Sequence, residues 1–118
     1  MYYKDLEAWK EAIKLVKKVY DITSAFPKSE MYGLVSQINR CAVSIPSNIA
    51  EGCSRYSDKD TIRFIDIAIG SLAELDTQLI IAEELGFISY ENSDIVNLIG
   101  KQNAMLRGLK NYVTTCKT

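Results

Sequence analysis

Histidine is absent from this sequence. Its absence removes Ser-His-Asp and Cys-His nucleophile systems, histidine-ligated zinc and the Glu-x-x-His sites of di-iron bundles. Proline occurs only twice and glycine six times in 118 residues, so little interrupts long helices. No apolar run approaches the ~20 residues that a bilayer-spanning helix needs. Met1-Tyr2-Tyr3-Lys4-Asp5 also lacks the apolar stretch of a signal peptide. The expectation is a cytoplasmic chain with no membrane partner. Neither charge sign dominates: the net charge is −1, so no global basic field announces a nucleic-acid partner. The cysteines, Cys41, Cys53 and Cys116, are odd in number and share no metal-type spacing. They read as small hydrophobes rather than a disulfide framework or a ligand set. No cofactor and no metal is expected.

What remains is ordinary globular material, 47% hydrophobic and 25% charged, which is enough to build one core without staples. The chain reads as a single all-α domain over 1–118, an up-down-up-down antiparallel four-helix bundle. The helices are expected near 5–25, 31–53, 58–85 and 90–113. In the first, Leu6, Trp9, Ile13, Val16 and Tyr20 share a face at helical spacing. Ala8, Ala12, Leu15, Val19 and Ile22 widen the apolar arc to about 200°. That is more than a helix packed inside a lone bundle needs, and it hints at a second contact. Phe26-Pro27 stops this helix.

The second helix buries Leu34, Val35, Ile38, Cys41, Ala42, Ile45 and Ile49, with Pro46 inside it. A proline there removes one backbone bond, so the helix is expected to kink at Pro46; the alternative is two shorter helices meeting there. Ser57 is a plausible N-cap of the third helix, whose main stripe is Ile62, Ile65, Ala68, Ile69, Leu72, Leu75, Leu79 and Ala82. A second, mixed stripe (Asp60, Ile67, Ser71, Glu74, Gln78, Ile81, Leu85) fits a protein contact better than bare solvent. Gly86 supplies a stop. Ser89 is expected to cap a fourth helix whose face is Ile95, Leu98, Ile99, Met105, Leu106, Leu109 and Tyr112. Short joints make successive helices antiparallel neighbours.

Three strings carry a resemblance: Tyr3-Lys4-Asp5-Leu6-Glu7-Ala8-Trp9, Ser44-Ile45-Pro46-Ser47-Asn48-Ile49-Ala50-Glu51-Gly52, and Gly70-Ser71-Leu72-Ala73-Glu74-Leu75-Asp76-Thr77-Gln78-Leu79. Together they resemble the 23S ribosomal RNA intervening-sequence proteins, from Tyr3 to about Tyr112. The resemblance implies a homopentamer of four-helix bundles arranged as a ring or barrel, with no established enzymatic activity. It also implies kinship with the accessory proteins of diversity-generating retroelements, which bind nucleic acid and a reverse transcriptase. Those relatives are strongly basic, whereas this chain has a pI near 5.4.

Three groups of polar residues are candidates for function. Arg40, Ser44, Asn48, Glu51 and Arg55 climb one side of the second helix in steps of three and four. They could bind a ligand or a neighbouring subunit. Alternatively, Glu51 and Arg55 simply pair, while Ser44 and Asn48 serve backbone groups freed by Pro46. Ser71, Glu74 and Gln78 form the second group, and Glu74 is expected to pair across a subunit boundary with Arg40, Arg55 or Arg63. Lys101, Arg107, Lys110 and Lys117 form a net-positive end that could contact nucleic acid. Asp76 and Gln102 lie near apolar stripes, where buried polar groups require partners. Glu51, Glu74 and Asp76 could in principle form a carboxylate site for Mg²⁺, but their spacing alone is a weak signal.

The leading expectation is therefore a non-enzymatic homo-oligomeric scaffold that presents a multivalent surface to a protein or nucleic-acid partner. The alternative is a direct RNA- or DNA-binding protein of ribosomal RNA or retroelement context.

Overall fold

The computed structural model describes residues 1–116, with side chains described through Thr115. It is all-helical, with four long helices and, among the described residues, no strand: α1 (Glu7–Thr23), α2 (Leu34–Cys53), α3 (Asp58–Glu84) and α4 (Asp94–Asn111). Short 3-10 turns occupy Tyr3–Asp5 and Lys28–Glu30, and a π turn follows α4 over Tyr112–Cys116. The helices form a rod of 49 × 26 × 20 Å in which α1 and α3 each pack against both α2 and α4.

The core runs through the rod as one cluster. α1 contributes Ala8, Ala12, Leu15 and Val19; α2 contributes Ile38, Cys41, Ala42, Ile45 and Ile49. α3 contributes Ile65, Ala68, Leu72, Leu75, Leu79 and Ala82; α4 contributes Ile95, Ile99, Leu106 and Leu109. The face of α1 that the hydropathy pattern favours is not the buried one. Ile13 and Tyr20 are exposed, and Trp9 and Val16 are only partly covered. The alanine-bearing side faces the core because small side chains let α1 sit close to its neighbours.

Local chemistry explains the ends. Ser57 caps α3 by accepting a hydrogen bond from the Asp60 N–H at 3.1 Å. At the other end Gly86 takes φ +82°. Phe87 N–H then reaches the Ala82 carbonyl and Gly86 N–H the Glu83 carbonyl, each at 2.9 Å, a Schellman closure. It turns the Phe87 ring onto Phe26, with centroids 5.5 Å apart, sealing that end of the rod.

The fourth helix starts at Asp94, not near Tyr90 as the sequence implied, and Ser93 rather than Ser89 precedes it. Tyr90 is buried with its hydroxyl 2.5 Å from Asp76 Oδ1, and Ser93 closes a turn back to the Tyr90 carbonyl. That anchoring holds residues 90–93 out of the helix. Pro46 lies inside α2, which is one continuous helix rather than two. α2 and α3 approach closely at Gly52, where an added Cβ would stand 3.0 Å from Phe64 Cβ and 3.1 Å from the Thr61 carbonyl. Thr61 donates its hydroxyl to the Gly52 carbonyl at 2.9 Å across that approach.

Candidate functional site

Two grooves flank α2, one on each side. The groove between α2 and α3, about 590 Å³, is lined by Gln37, Arg40, Cys41, Ser44, Ser71, Glu74, Thr77, Gln78 and Ile81. It gathers five of the polar residues singled out from the sequence: Arg40 and Ser44 from α2, and Ser71, Glu74 and Gln78 from α3. The other three, Asn48, Glu51 and Arg55, lie further along α2 and do not line it. Asn48 donates to the Ser44 carbonyl at 2.7 Å, and Ser44 to the Cys41 carbonyl at 2.6 Å. Both thus turn onto their own helix, but neither reaches Ala42, whose carbonyl is the one that Pro46 leaves without its helical donor. Glu51 and Arg55 pair at 3.5 Å on the surface, a contact worth roughly 0.3–0.5 kcal/mol.

Sequence reasoning missed Cys41 as a member of this groove. Its thiol lies 3.0 Å from the Ser71 carbonyl, a contact between α2 and α3. Burial first, and then the neighbouring Glu74 carboxylate, push that thiol up to about 12. The thiol therefore stays protonated at neutral pH and behaves as a donor, not a nucleophile. The buried Gln78 Oε1 finds no donor among the described residues. Of the arginines expected to meet Glu74 across a boundary, Arg55 and Arg63 are engaged inside the chain. They flank the Phe64 ring at 4.7 and 4.6 Å, and Arg63 also lies 4.0 Å from Asp60. Arg40 stands in the same groove as Glu74, and the two make no ion pair within the described chain.

The second groove lies between α1 and α2 and is larger, about 690 Å³. Its walls are Tyr3, Trp9, Ile13, Val16 and Tyr20 on one side and Val43, Pro46 and Ala50 on the other, with Lys17 and Ser47 at the rim. This groove is where the surplus apolar arc of α1 goes. Val43, Ser47 and Ala50, at i, i+4 and i+7 on α2, are the half that went unread. Val43 alone was too short a signal beside the buried stripe.

The basic residues near the C-terminal end do not make one patch. Lys101 meets Glu11 of α1 at 3.3 Å, whereas Lys110 meets Asp66 of α3 at 2.8 Å, so they lie toward opposite flanks of α4. Arg107 donates to Asn103 at 3.2 Å. Lys117 lies outside the described residues. Partial burial on its own would raise the Glu11 pKa, but Lys101 and Lys14 outweigh it and hold the carboxyl below its usual range. Glu51, Glu74 and Asp76 do not converge either: Glu51 turns to Arg55, Glu74 to Cys41 and Asp76 to Tyr90. Among the described residues no group of three or more carboxylates and cysteines is placed to hold a metal, and no helix is long and apolar enough to cross a membrane.

No curated protein matches the chain. A family model does, over residues 4–108, which takes in both grooves and all three sequence strings apart from Tyr3. The chain belongs to the 23S rRNA-intervening sequence protein family.

Proposed function

We propose that this protein is a non-enzymatic, cytoplasmic scaffold built from identical copies, a pentamer by its resemblance, that offers a repeated surface to a protein or nucleic-acid partner. The observation that carries this reading is the apolar groove of α1 and α2. Ile13, Tyr20 and Val43 remain exposed on it beside half-covered Trp9 and Val16. A contiguous apolar surface of this kind marks an association site more often than a face left to water. In the same reading the whole chain is one domain, its helices alternate in direction, and Pro46 bends α2 around the groove it lines. Kinship with the retroelement accessory proteins belongs to the same proposal.

Valency is the mechanism. Each copy needs only a weak contact, because identical copies held together bind the next site at high effective concentration. Membership in a family named for 23S rRNA gives the work a ribosomal RNA context, and it supports a second reading, direct binding of RNA or DNA. Arg40 makes no ion pair within the described chain, which leaves one strong phosphate donor on the α2–α3 side. Against this reading, Lys101 and Lys110 already hold carboxylates.

Native mass spectrometry of the protein purified from its own cells tests the proposal, since it reports copy number and co-bound molecules together. A closed multimer is expected. A single copy throughout would overturn the scaffold reading, and co-bound RNA would move the weight to the second.

A further inference from the structure

A third depression, about 390 Å³, lies between α3 and α4 and takes no part in the reading above. Its walls are apolar: Ile69, Leu72 and Ala73 from α3, and Val96, Ile99 and Gly100 from α4. Gly100 stands inside α4, where a glycine weakens the helix. An added Cβ would meet nothing within 4 Å there, so no neighbour in the described chain demands the missing side chain. Its effect is to keep the trough open.

The two ends of this trough carry opposite charges. Asp76 lines one end, half-buried, and accepts the Tyr90 hydroxyl at Oδ1, 2.5 Å away. That hydroxyl supplies a hydrogen bond but no positive charge. Burial first, and then Asp76 and Glu83, hold the Tyr90 phenol above its ordinary range, so it remains a neutral donor. Arg107 lines the other end, and its Nε donates to Asn103 Oδ1 at 3.2 Å, which steers the guanidinium. Neither Asp76 nor Arg107 makes an ion pair among the described residues. Two contacts set their spacing. Tyr90, ahead of α4, bonds to Asp76, and Lys110, one turn beyond Arg107, meets Asp66 at 2.8 Å. Arg107 is therefore nearly level with Ile69, which puts it ~10 Å from Asp76 along α3 at ~1.5 Å per residue.

We infer that the α3–α4 trough binds a linear ω-amino carboxylate, with its carboxylate on Arg107, its ammonium on Asp76 and its methylene chain between them. The guanidinium is built to grip a carboxylate through paired N–H groups. Asp76 has two oxygens, so accepting from Tyr90 leaves it room for an ammonium. The chain lies on Ile69, Leu72 and Ile99, and a pocket of this volume is large enough to enclose a small molecule. Charge selects this class over its neighbours. A fatty acid would cover Asp76 with methylenes and leave that carboxylate without a cation, and an alkylamine would do the same to Arg107. An α-amino acid carries both charges, but side by side rather than one at each end.

Isothermal titration calorimetry of the full chain with ω-aminohexanoate and ω-aminooctanoate tests the site, with hexanoate, hexylamine and glycine as controls. At least one ω-amino acid is expected to bind once per chain. Each single-charge control should bind at least about tenfold more weakly, the loss of one charge-assisted contact. Arg107→Gln should erase the preference for ω-aminohexanoate over hexylamine and leave hexylamine itself unchanged. Gly100→Leu should fill the trough and abolish binding, with the wild-type circular dichroism spectrum kept because its Cβ enters open space. Should that variant fail to fold, the ligand series and Arg107→Gln still decide. No heat from either ω-amino acid would overturn the inference. So would hexylamine binding wild type equally well, or binding that survives Gly100→Leu but is lost in Ile13→Asp. The scaffold reading stands or falls separately, since none of these trough residues lines the α1–α2 groove.

Discussion

Gln102 of α4 donates its side-chain amide to the Ala8 carbonyl of α1 at 3.0 Å, a bond between residues 94 positions apart in the chain. Gln102 is fully buried, and its Oε1 finds no donor among the described residues. The bond fixes the axial register of α4 on α1, while the orphaned oxygen costs roughly 1–3 kcal/mol. Register and stability therefore pull in opposite directions at this residue.

Gln102→Met removes both effects at once. The Ala8 carbonyl keeps its helical donor, so no new orphan appears, and methionine matches the volume. Stability is expected to rise by about 1 kcal/mol in urea unfolding. A loss of more than about 1 kcal/mol would show that the amide contributes more than its unpaired oxygen costs.

Gly52 and Gly100 should respond to substitution in opposite directions. At Gly52 the backbone of Thr61 and Phe64 Cβ leave no room, so Gly52→Val is expected to cost about 2–3 kcal/mol. At Gly100, within α4, an added Cβ meets nothing within 4 Å, and Gly100→Ala should add about 0.5–1 kcal/mol of helix stability. Thermal melts of both variants check the pair.

Alkaline pH should destabilise the fold through two buried groups. Burial and then Glu74 raise Cys41 from 9.0 to about 12; burial and then Asp76 raise Tyr90 as well. Between pH 9 and 12 the unfolded chain has lost the cysteine proton that the folded chain keeps. The unfolded state then binds fewer protons, so stability falls as pH rises through that window. Glu11 acts at the other end. Its lowered pKa contributes stability that is present above 4.5 and is lost as pH falls through the folded value. At pH 8 the raised pKa leaves Cys41 with far less thiolate than an ordinary cysteine carries, so alkylation timed by mass spectrometry should be much slower than that of a cysteine peptide. Labelling within tenfold of a cysteine peptide would contradict the buried, Glu74-facing position.

Nucleic-acid binding has its own signature. If phosphates are contacted through several cations, retention on RNA should fall steeply between ~50 and ~200 mM salt. With Lys101 and Lys110 held by Glu11 and Asp66, the expected result is little retention even at the low end.

The sequence carried the four-helix architecture because its strongest signals are local: few prolines and glycines, helical spacing in every segment, and a family string around Pro46. It left open which side of the wide α1 arc is buried, since Trp9, Ile13 and Tyr20 outweigh Ala8 and Ala12 on any hydropathy count. Depth is set by how closely a neighbour approaches, and alanine permits the closest approach. The start of α4 was misplaced for a related reason: the bond that holds Tyr90 comes from Asp76, fourteen residues away, which no local pattern encodes. Of the site, the polar residues were legible as two separate stripes. Their meeting in one groove depended on the register of α2 against α3, set at Gly52 and Thr61. Cys41 looked like core because nothing beside it in the sequence announces Glu74.

The central claim is that the exposed apolar stripe of α1 and α2 is covered by another copy of the chain. Light-scattering mass across a hundredfold range of concentration tests it most directly. A constant mass several times that of one chain, reduced to one by Ile13→Asp, is predicted. Wild-type protein that elutes at single-chain mass over the entire range would contradict it.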